Sequence, residues 1–373
     1  MPALTIEERS ALRAAIGRLL DDRSTLADVR RVMDSREGYD AALWRELAAF
    51  GLLGLVIDEE YGGAGAGPVE LEFIMEEAGA ALLCAPFLSS AVLCAELLRR
   101  LDDAEASGRL LPEIAAGSVI AAAALTGPRG CWTPDGVAVI ASPDAEAWQL
   151  DGEAAFVIHG HSANVLLVAA RSAGGIDVFE VDPGASGVSL KLLPTFDRTL
   201  RLANLTFDGA AARRIGESGR GWQAIEAALD LARVAITGEQ AGAGQHVLAF
   251  TVDYARTRIQ FGRPIGSFQA IKHMAADLLL ESESAISAAR YAATQLAAAA
   301  PDAKAAVELA AFACSEAFVK ICADAIQMHG GIAFTWDHPA HLYLRRARAD
   351  AQLFGAPTLH RDRYLRELEA ADG

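Results

Sequence analysis

Basic residues are scarce in this chain: 33 Lys and Arg face 49 Asp and Glu, a net charge of −16. Phosphate contacts need clustered cations, so this balance argues against nucleic acid as a partner. Cysteine is scarce too. The five, Cys84, Cys94, Cys131, Cys314 and Cys322, form no C-x-x-C pair and are odd in number. That argues against a metal site and against a disulfide framework, and suits small core residues in a reducing compartment. No segment approaches the roughly 18 uninterrupted apolar residues of a membrane span, and Met1–Arg13 carries charges in place of an apolar signal core. These absences predict a soluble, cytoplasmic protein with no membrane association. Aromatics are only 7% of residues although 52% are hydrophobic, so small aliphatic side chains, Ala above all, carry the core. Alanine costs little entropy in a helix and lets helix axes come close.

Three zones follow along the chain. Residues 1–117 carry helical periodicity over Ile6–Leu20, Ala41–Phe50, Val69–Ala80 and Ala91–Leu101, interrupted by the glycine-rich loop Glu59-Glu60-Tyr61-Gly62-Gly63-Ala64-Gly65. Residues 118–212 hold short β-branched or alternating runs at Val137–Ile140, Val165–Ala169, Asp177–Val181 and Leu202–Phe207. Pro134-Asp135-Gly136, Asp151-Gly152 and Asp182-Pro183-Gly184 punctuate them, which predicts an antiparallel β domain, sandwich or barrel. Residues 213–373 return to long helical patterns, Trp222–Tyr254, Phe268–Leu296 and Ala303–Met328, the last stopped by Gly330-Gly331. The predicted class is α+β, with an N-terminal helical domain, a central antiparallel β domain and a C-terminal four-helix bundle. The Ala- and Leu-rich faces of the last two helices exceed what one core layer needs, which predicts an oligomer.

Five segments in order resemble the acyl-CoA dehydrogenase family. They are Phe50–Leu55 with Glu59–Gly63, Trp148–Gly152 with Phe156–Ile158, Phe196–Thr199 with Phe207-Asp208, the R-x-x-F-G segment Arg258–Gly262, and the Q-x-x-GG segment Gln327–Gly331. The resemblance spans essentially the whole chain and implies the family fold with FAD as cofactor. It also implies α,β-dehydrogenation of an acyl-CoA thioester, in which a carboxylate removes the α proton while the β hydrogen leaves as hydride. The base must lie within hydrogen-bond reach of that proton. The two positions where the family carries it hold Ala232, in Leu229-Asp230-Leu231-Ala232-Arg233, and Phe354, in Leu353-Phe354-Gly355. Neither can accept a proton. Glu239 is the nearest substitute, seven residues beyond Ala232 and about 10 Å along the helix. It reads either as a relocated base or as a buried glutamate bonded to a neighbouring helix. Asp230 and Arg233 match family contacts to acyl-CoA or to the base, with an ion pair as the plain alternative.

The resemblance also divides the FAD-binding residues into two sets. The set a subunit supplies to its own cofactor is altered: Ile158 stands where a threonine is usual, Leu125–Trp132 replaces an acidic Gly-Ser loop, and Ala356-Pro357-Thr358 follows Phe354-Gly355. The set that reaches a neighbour's cofactor is present as Arg258, Phe261, Gln269, Gln327, Gly330 and Gly331. Arg258 would pair with the pyrophosphate, and the two glycines would admit close backbone approach. Taken alone, Arg258 could be a surface arginine and Gly330-Gly331 a helix cap. Together they imply a subunit without its own base that completes the FAD site of a homologous catalytic partner in an α2β2 heterotetramer, similar to actinobacterial enzymes of steroid side-chain CoA thioesters. Two alternatives stay open: a self-sufficient homotetrameric dehydrogenase using Glu239, and a flavin oxidase or monooxygenase on the same fold. An electron-transferring flavoprotein is the acceptor the family usually employs.

Overall fold

The computed structural model describes residues 5–144 and 147–372. Helices α1 (Ile6–Arg23), α2 (Leu26–Asp34), α3 (Ala41–Ala49), α4 (Pro68–Ala80), α5 (Ala95–Leu101) and α6 (Ala104–Ala115) come first. Strands β1 (Ala121–Ala124), β2 (Val139–Asp144), β3 (Ala147–Ile158), β4 (Val165–Ser172), β5 (Gly175–Val181), β6 (Val188–Leu192) and β7 (Leu202–Ile215) follow. Then come α7 (Gly221–Thr257), the short strands β8 (Ile259–Gln260) and β9 (Arg263–Pro264), α8 (Gln269–Ala297), α9 (Ala303–His329), α10 (Ala340–Asp350) and α11 (Pro357–Asp372). This is the expected α+β order of a helical N-terminal part, a central β part and C-terminal helices. By compactness the chain divides differently from cuts after residues 117 and 212. One unit joins Arg31–Gly67 to Cys84–Ala232, and the other joins the segment up to Arg30, Pro68–Leu83 and Arg233 onward.

In the first unit the strands close on themselves. The order is β1-β4-β2-β3-β7-β5, β5 returns to β4, and β6 adds to β7. Leu150, Val157, Leu166, Val168, Phe179, Leu205 and Phe207 fill the interior. Most pairings are antiparallel, but β4 runs parallel to both β1 and β2, a departure from the all-antiparallel expectation. The sequence carries the reason: Val165–Ala170 is an unbroken apolar run, buried at every residue, as a strand covered on both faces requires. Asp151-Gly152 is not a turn. It lies inside β3, where the register to β7 shifts and Gly152 has φ 124°. A Cβ there would meet the Ala138 carbonyl at 2.8 Å, so glycine marks a bulge. The expected helix from Ala91 begins earlier, as a wide turn over Phe87–Cys94 that leads into α5. Within it the Ser90 hydroxyl accepts the Ala121 N–H at 3.0 Å, tying the turn to β1.

The second unit is built on close helix contacts. A Cβ at Gly79 of α4 would sit 2.0 Å from the Glu239 carbonyl of α7. Cβ atoms at Gly242 and Gly238 of α7 would sit 2.0 Å and 2.5 Å from the Glu76 and Glu72 carbonyls. Three glycines therefore let two backbones touch, and this binds α4 to the C-terminal helices. Between α8 and α9 the core is Ala285, Ala289, Ala292 and Ala293 against Val307, Ala310, Cys314 and Ala317.

That close approach buries two carboxyls one turn apart. Glu76 takes a two-pronged bond from Arg290 of α8, at 2.9 and 3.1 Å, and a second guanidinium from Arg13 of α1 at 2.7 Å. Glu72 has no such pair, and one of its oxygens lacks any partner. Burial, with the Glu76 charge beside it, pushes the Glu72 carboxyl up from 4.5 to about 9. The folded chain thus keeps a proton that the unfolded chain releases above 4.5. Stability from this group is full below that value and is lost as pH rises towards 9. Glu72→Gln mimics the protonated form. Between pH 6 and 8.5 the wild type should lose up to about 1.4 kcal/mol of unfolding free energy per pH unit relative to E72Q. Parallel denaturation curves for the two proteins across that range would refute it.

Candidate functional site

The residues expected to face a neighbour lie at two exposed ends of the second unit. After α7, strands β8 and β9 form a two-residue hairpin whose turn residues, Phe261 and Gly262, have φ 52° and 77°. Both positive angles mark a mirror-image turn, natural for Gly262 and strained for Phe261. The strain presents an aromatic ring to solvent: Phe261 is 92% exposed. It meets the edge of Phe268 at 6.1 Å, and the Arg263 guanidinium covers that second ring at 4.1 Å. Arg258, at the hairpin base, is exposed and has no ion-pair partner among the described residues. Gln269 opens α8 and is exposed, as is Gln327 in the last turn of α9.

Gly330 ends α9 with φ 67° and ψ −145°, a conformation that calls for glycine. Gly331 is different. Its φ is not positive, and an added Cβ would meet nothing within 4 Å. Nothing inside the described chain requires glycine at 331. The two ends share a root, since Tyr254, one turn before Arg258, stacks on His329, the residue before Gly330, at 4.4 Å. Ile332, Phe334 and Trp336 continue this exposed apolar surface.

The other set is arranged otherwise. In the first unit the loop from Thr126 folds onto itself. The Thr126 hydroxyl donates to the Cys131 carbonyl at 2.8 Å, the Gly127 N–H to Gly136 at 2.8 Å, and Arg129 to the Asp135 carbonyl at 3.0 Å. Trp132 is buried, and the Phe156 ring lies against Gly130, 3.1 Å from where a Cβ would sit. Ile158 is buried at the end of β3, paired with Leu202. These bonds hold the loop, and Phe156 fills the space beside Gly130. Thus one set is exposed at the ends of its helices, whereas the other is largely engaged with its own chain.

The two positions at which a base was expected from the resemblance hold buried apolar side chains. Ala232 is buried in α7. Phe354 is fully buried with φ 60°, and Gly355 follows at φ 130°. This turn is pinned by His360, whose Nε2 lies 3.1 Å from the Gly355 carbonyl and whose Nδ1 lies 2.5 Å from Glu308. Pro357 begins α11, where a missing N–H costs nothing. Arg233, 1% exposed, reaches the same Glu308 at 3.7 Å, and Arg363 reaches it at 3.3 Å. Burial works to raise the Glu308 carboxyl, but the His360 bond and the two arginines outweigh it and hold it below its ordinary value. Asp230 is half-buried one turn earlier on α7.

Glu239 is 4% exposed and bonded to the Arg346 Nε of α10 at 2.6 Å, with Asp350 on the same guanidinium at 3.3 Å. The carboxylate is engaged deep between helices. Sequence reading singled out Glu239 without its partners. The i,i+4 spacing of Arg346 and Asp350 is visible in the chain, but its pairing with a helix more than a hundred residues earlier is not. Glu308 and His360 were likewise missed, each being a lone polar residue on an apolar face. Among the described residues no cluster of three or more His, Cys, Asp or Glu is placed to hold a metal ion. No helix among them is long and apolar enough to cross a membrane.

Comparison with known proteins agrees with this architecture. Residues 6–118 match the acyl-CoA dehydrogenase N-terminal domain and residues 219–368 the C-terminal domain. The acyl-CoA dehydrogenase IpdE2 of Mycolicibacterium smegmatis is 34% identical, over 98% of each chain, and the Mycobacterium tuberculosis protein of that name is 34% identical over 98% of this chain and 97% of its own. Among solved structures, a variant of the Tcur3481–Tcur3483 steroid ACAD superposes with a TM-score of 0.88 at 31% identity, covering 98% of this chain and 99% of that one. The ChsE4–ChsE5 complex from Mycobacterium tuberculosis gives 0.90 at 29%, covering 99% of both. The chain belongs to the acyl-CoA dehydrogenase family of FAD-dependent oxidoreductases.

Proposed function

We propose that this chain is the base-lacking subunit of a heteromeric acyl-CoA dehydrogenase and completes the FAD site of a homologous catalytic partner, in an α2β2 assembly. One observation carries the reading. Arg258, Phe261 and Gly331 are exposed, Arg258 without an ion-pair partner and Gly331 without a steric need for glycine among the described residues, while Phe354 is buried and the Thr126–Trp132 loop is held by its own bonds. A chain that had merely lost activity would have no reason to keep the first group while altering the second. Arg258 offers a two-pronged guanidinium to the pyrophosphate, and Gly330-Gly331 offers backbone at close range. Phe261 and the surface from Ile332 to Trp336 provide the apolar contact. FAD, when bound, supplies the redox chemistry, accepting hydride from the acyl β carbon. The α proton goes to a carboxylate of the partner.

The likeness to a steroid ACAD supports a bulky steroid side-chain CoA thioester as the substrate class, and the likeness to the ChsE4–ChsE5 complex supports an assembly of two kinds of chain. Electrons then pass to an electron-transferring flavoprotein. A self-sufficient enzyme using Glu239 would have to break the buried Arg346 pair before the carboxylate could take a proton.

The test is purification from the native host, or co-expression with an operon neighbour, followed by flavin quantitation per chain. The expected result is a complex of two kinds of chain holding about one FAD per two chains. A pure homo-oligomer with one FAD per chain and full activity overturns the proposal.

A further inference from the structure

Arg258 and Phe261 follow α7, whereas Gly330 and Gly331 follow α9. For both to meet one cofactor, their relative position must be fixed to about half an ångström. The hairpin cannot fix it unaided, because its strands are two residues each and exposed. What lies beneath is a cluster of rings. Tyr254 of α7 stacks on His329 of α9 with centroids 4.4 Å apart and planes at 24°, and its hydroxyl donates to the His329 carbonyl at 3.4 Å. His329 is itself held, its Nδ1 being 2.8 Å from the Ala325 carbonyl. Phe250 meets it at 5.6 Å and His338 at 4.5 Å, and the His338 Nδ1 accepts the Ala340 N–H at the start of α10.

Both exposed ends leave directly from this stack. The Arg258 N–H bonds to the Tyr254 carbonyl at 2.8 Å, the Ile265 N–H returns to the Arg258 carbonyl at 2.8 Å, and Gly330 N–H bonds to Ile326. We propose that Tyr254 and His329 are positioning residues, which hold the Arg258–Phe261 hairpin and the Gly330–Gly331 turn in one frame so that the two engage a dinucleotide as a unit. This rests on the half-site reading of the preceding subsection. It assigns a task to two residues that touch no reacting atom.

The experiment compares Tyr254→Ala and Tyr254→Phe with wild type. Hydrogen exchange is read segment by segment in the full chain, and FAD affinity in the purified complex. Y254A removes the ring, and exchange should speed up about tenfold in both 259–265 and 330–334, although the second segment lies on another helix. The FAD affinity of the complex should fall about tenfold. Y254F keeps the stack and should restore both readouts to within about twofold. Y254L, which fills the volume without a face to stack, replaces Y254A should the latter fail to fold. If the hairpin loosens while 330–334 stays protected, or Y254F fails to rescue, the shared frame is overturned. If both segments loosen together but FAD affinity does not change, the frame stands and the flavin half-site reading falls.

Discussion

Replacing Arg258 with alanine is expected to strip flavin from the assembled complex while leaving this chain as stable as before. The two halves of that expectation come from one observation. Arg258 is exposed and has no ion-pair partner among the described residues. Removing an exposed, unpaired side chain changes folding stability by no more than about 0.5 kcal/mol. On the half-site proposal its value lies in what it meets outside the chain. A guanidinium on a pyrophosphate makes charge-assisted bonds worth roughly 1.5–3 kcal/mol, so FAD should bind about ten- to a hundredfold more weakly in the R258A complex. Arg258→Lys keeps the charge but not the fork, and should recover only part of the loss. The measurement is FAD content after gel filtration, with unfolding of the isolated chain alongside. Unchanged flavin in R258A would remove the main polar contact from the proposal. A large drop in stability would show instead that the arginine serves its own fold.

The sequence made this test visible but not its context. Helix extents were readable because apolar periodicity and glycine stops agree: Ala303–Met328 was expected and α9 runs Ala303–His329. The parallel pairing of β4 and the bulge at Gly152 were not, because both depend on strands far apart in the chain. The grouping of α4 with the C-terminal helices depends on Gly79, Gly238 and Gly242, whose close contacts leave no local signature. At the site, the motifs named Arg258, Phe261 and Gly331, but only the structure distinguishes a glycine needed by its own backbone, Gly330, from one that is not, Gly331. The same limit applied to charge. Glu239, Arg233 and Glu308 are polar residues on apolar helices, and periodicity alone cannot tell a buried ion pair from an acid waiting for substrate.

Glu239→Gln separates these two roles, because they predict opposite losses. In the buried pair the glutamate carboxylate lies 2.6 Å from Arg346, and both side chains are about 5% exposed. Removing one charge leaves a buried guanidinium that has lost its shortest ion pair, with Asp350 3.3 Å away. Breaking such a pair costs about 3 kcal/mol or more of stability, although the pair as a whole contributes little over well-packed apolar residues. E239Q should therefore unfold at distinctly lower denaturant, and adding Arg346→Met should recover much of the loss, since the stranded cation goes with it. Per mole of assembled complex, turnover should stay within about twofold of wild type, because the proton is removed elsewhere. A catalytic base behaves the other way. Without it, turnover would fall by at least about a hundredfold in a protein of nearly unchanged stability, and R346M would rescue nothing. The double variant makes the comparison decisive, since only a structural carboxylate can be repaired by removing its partner.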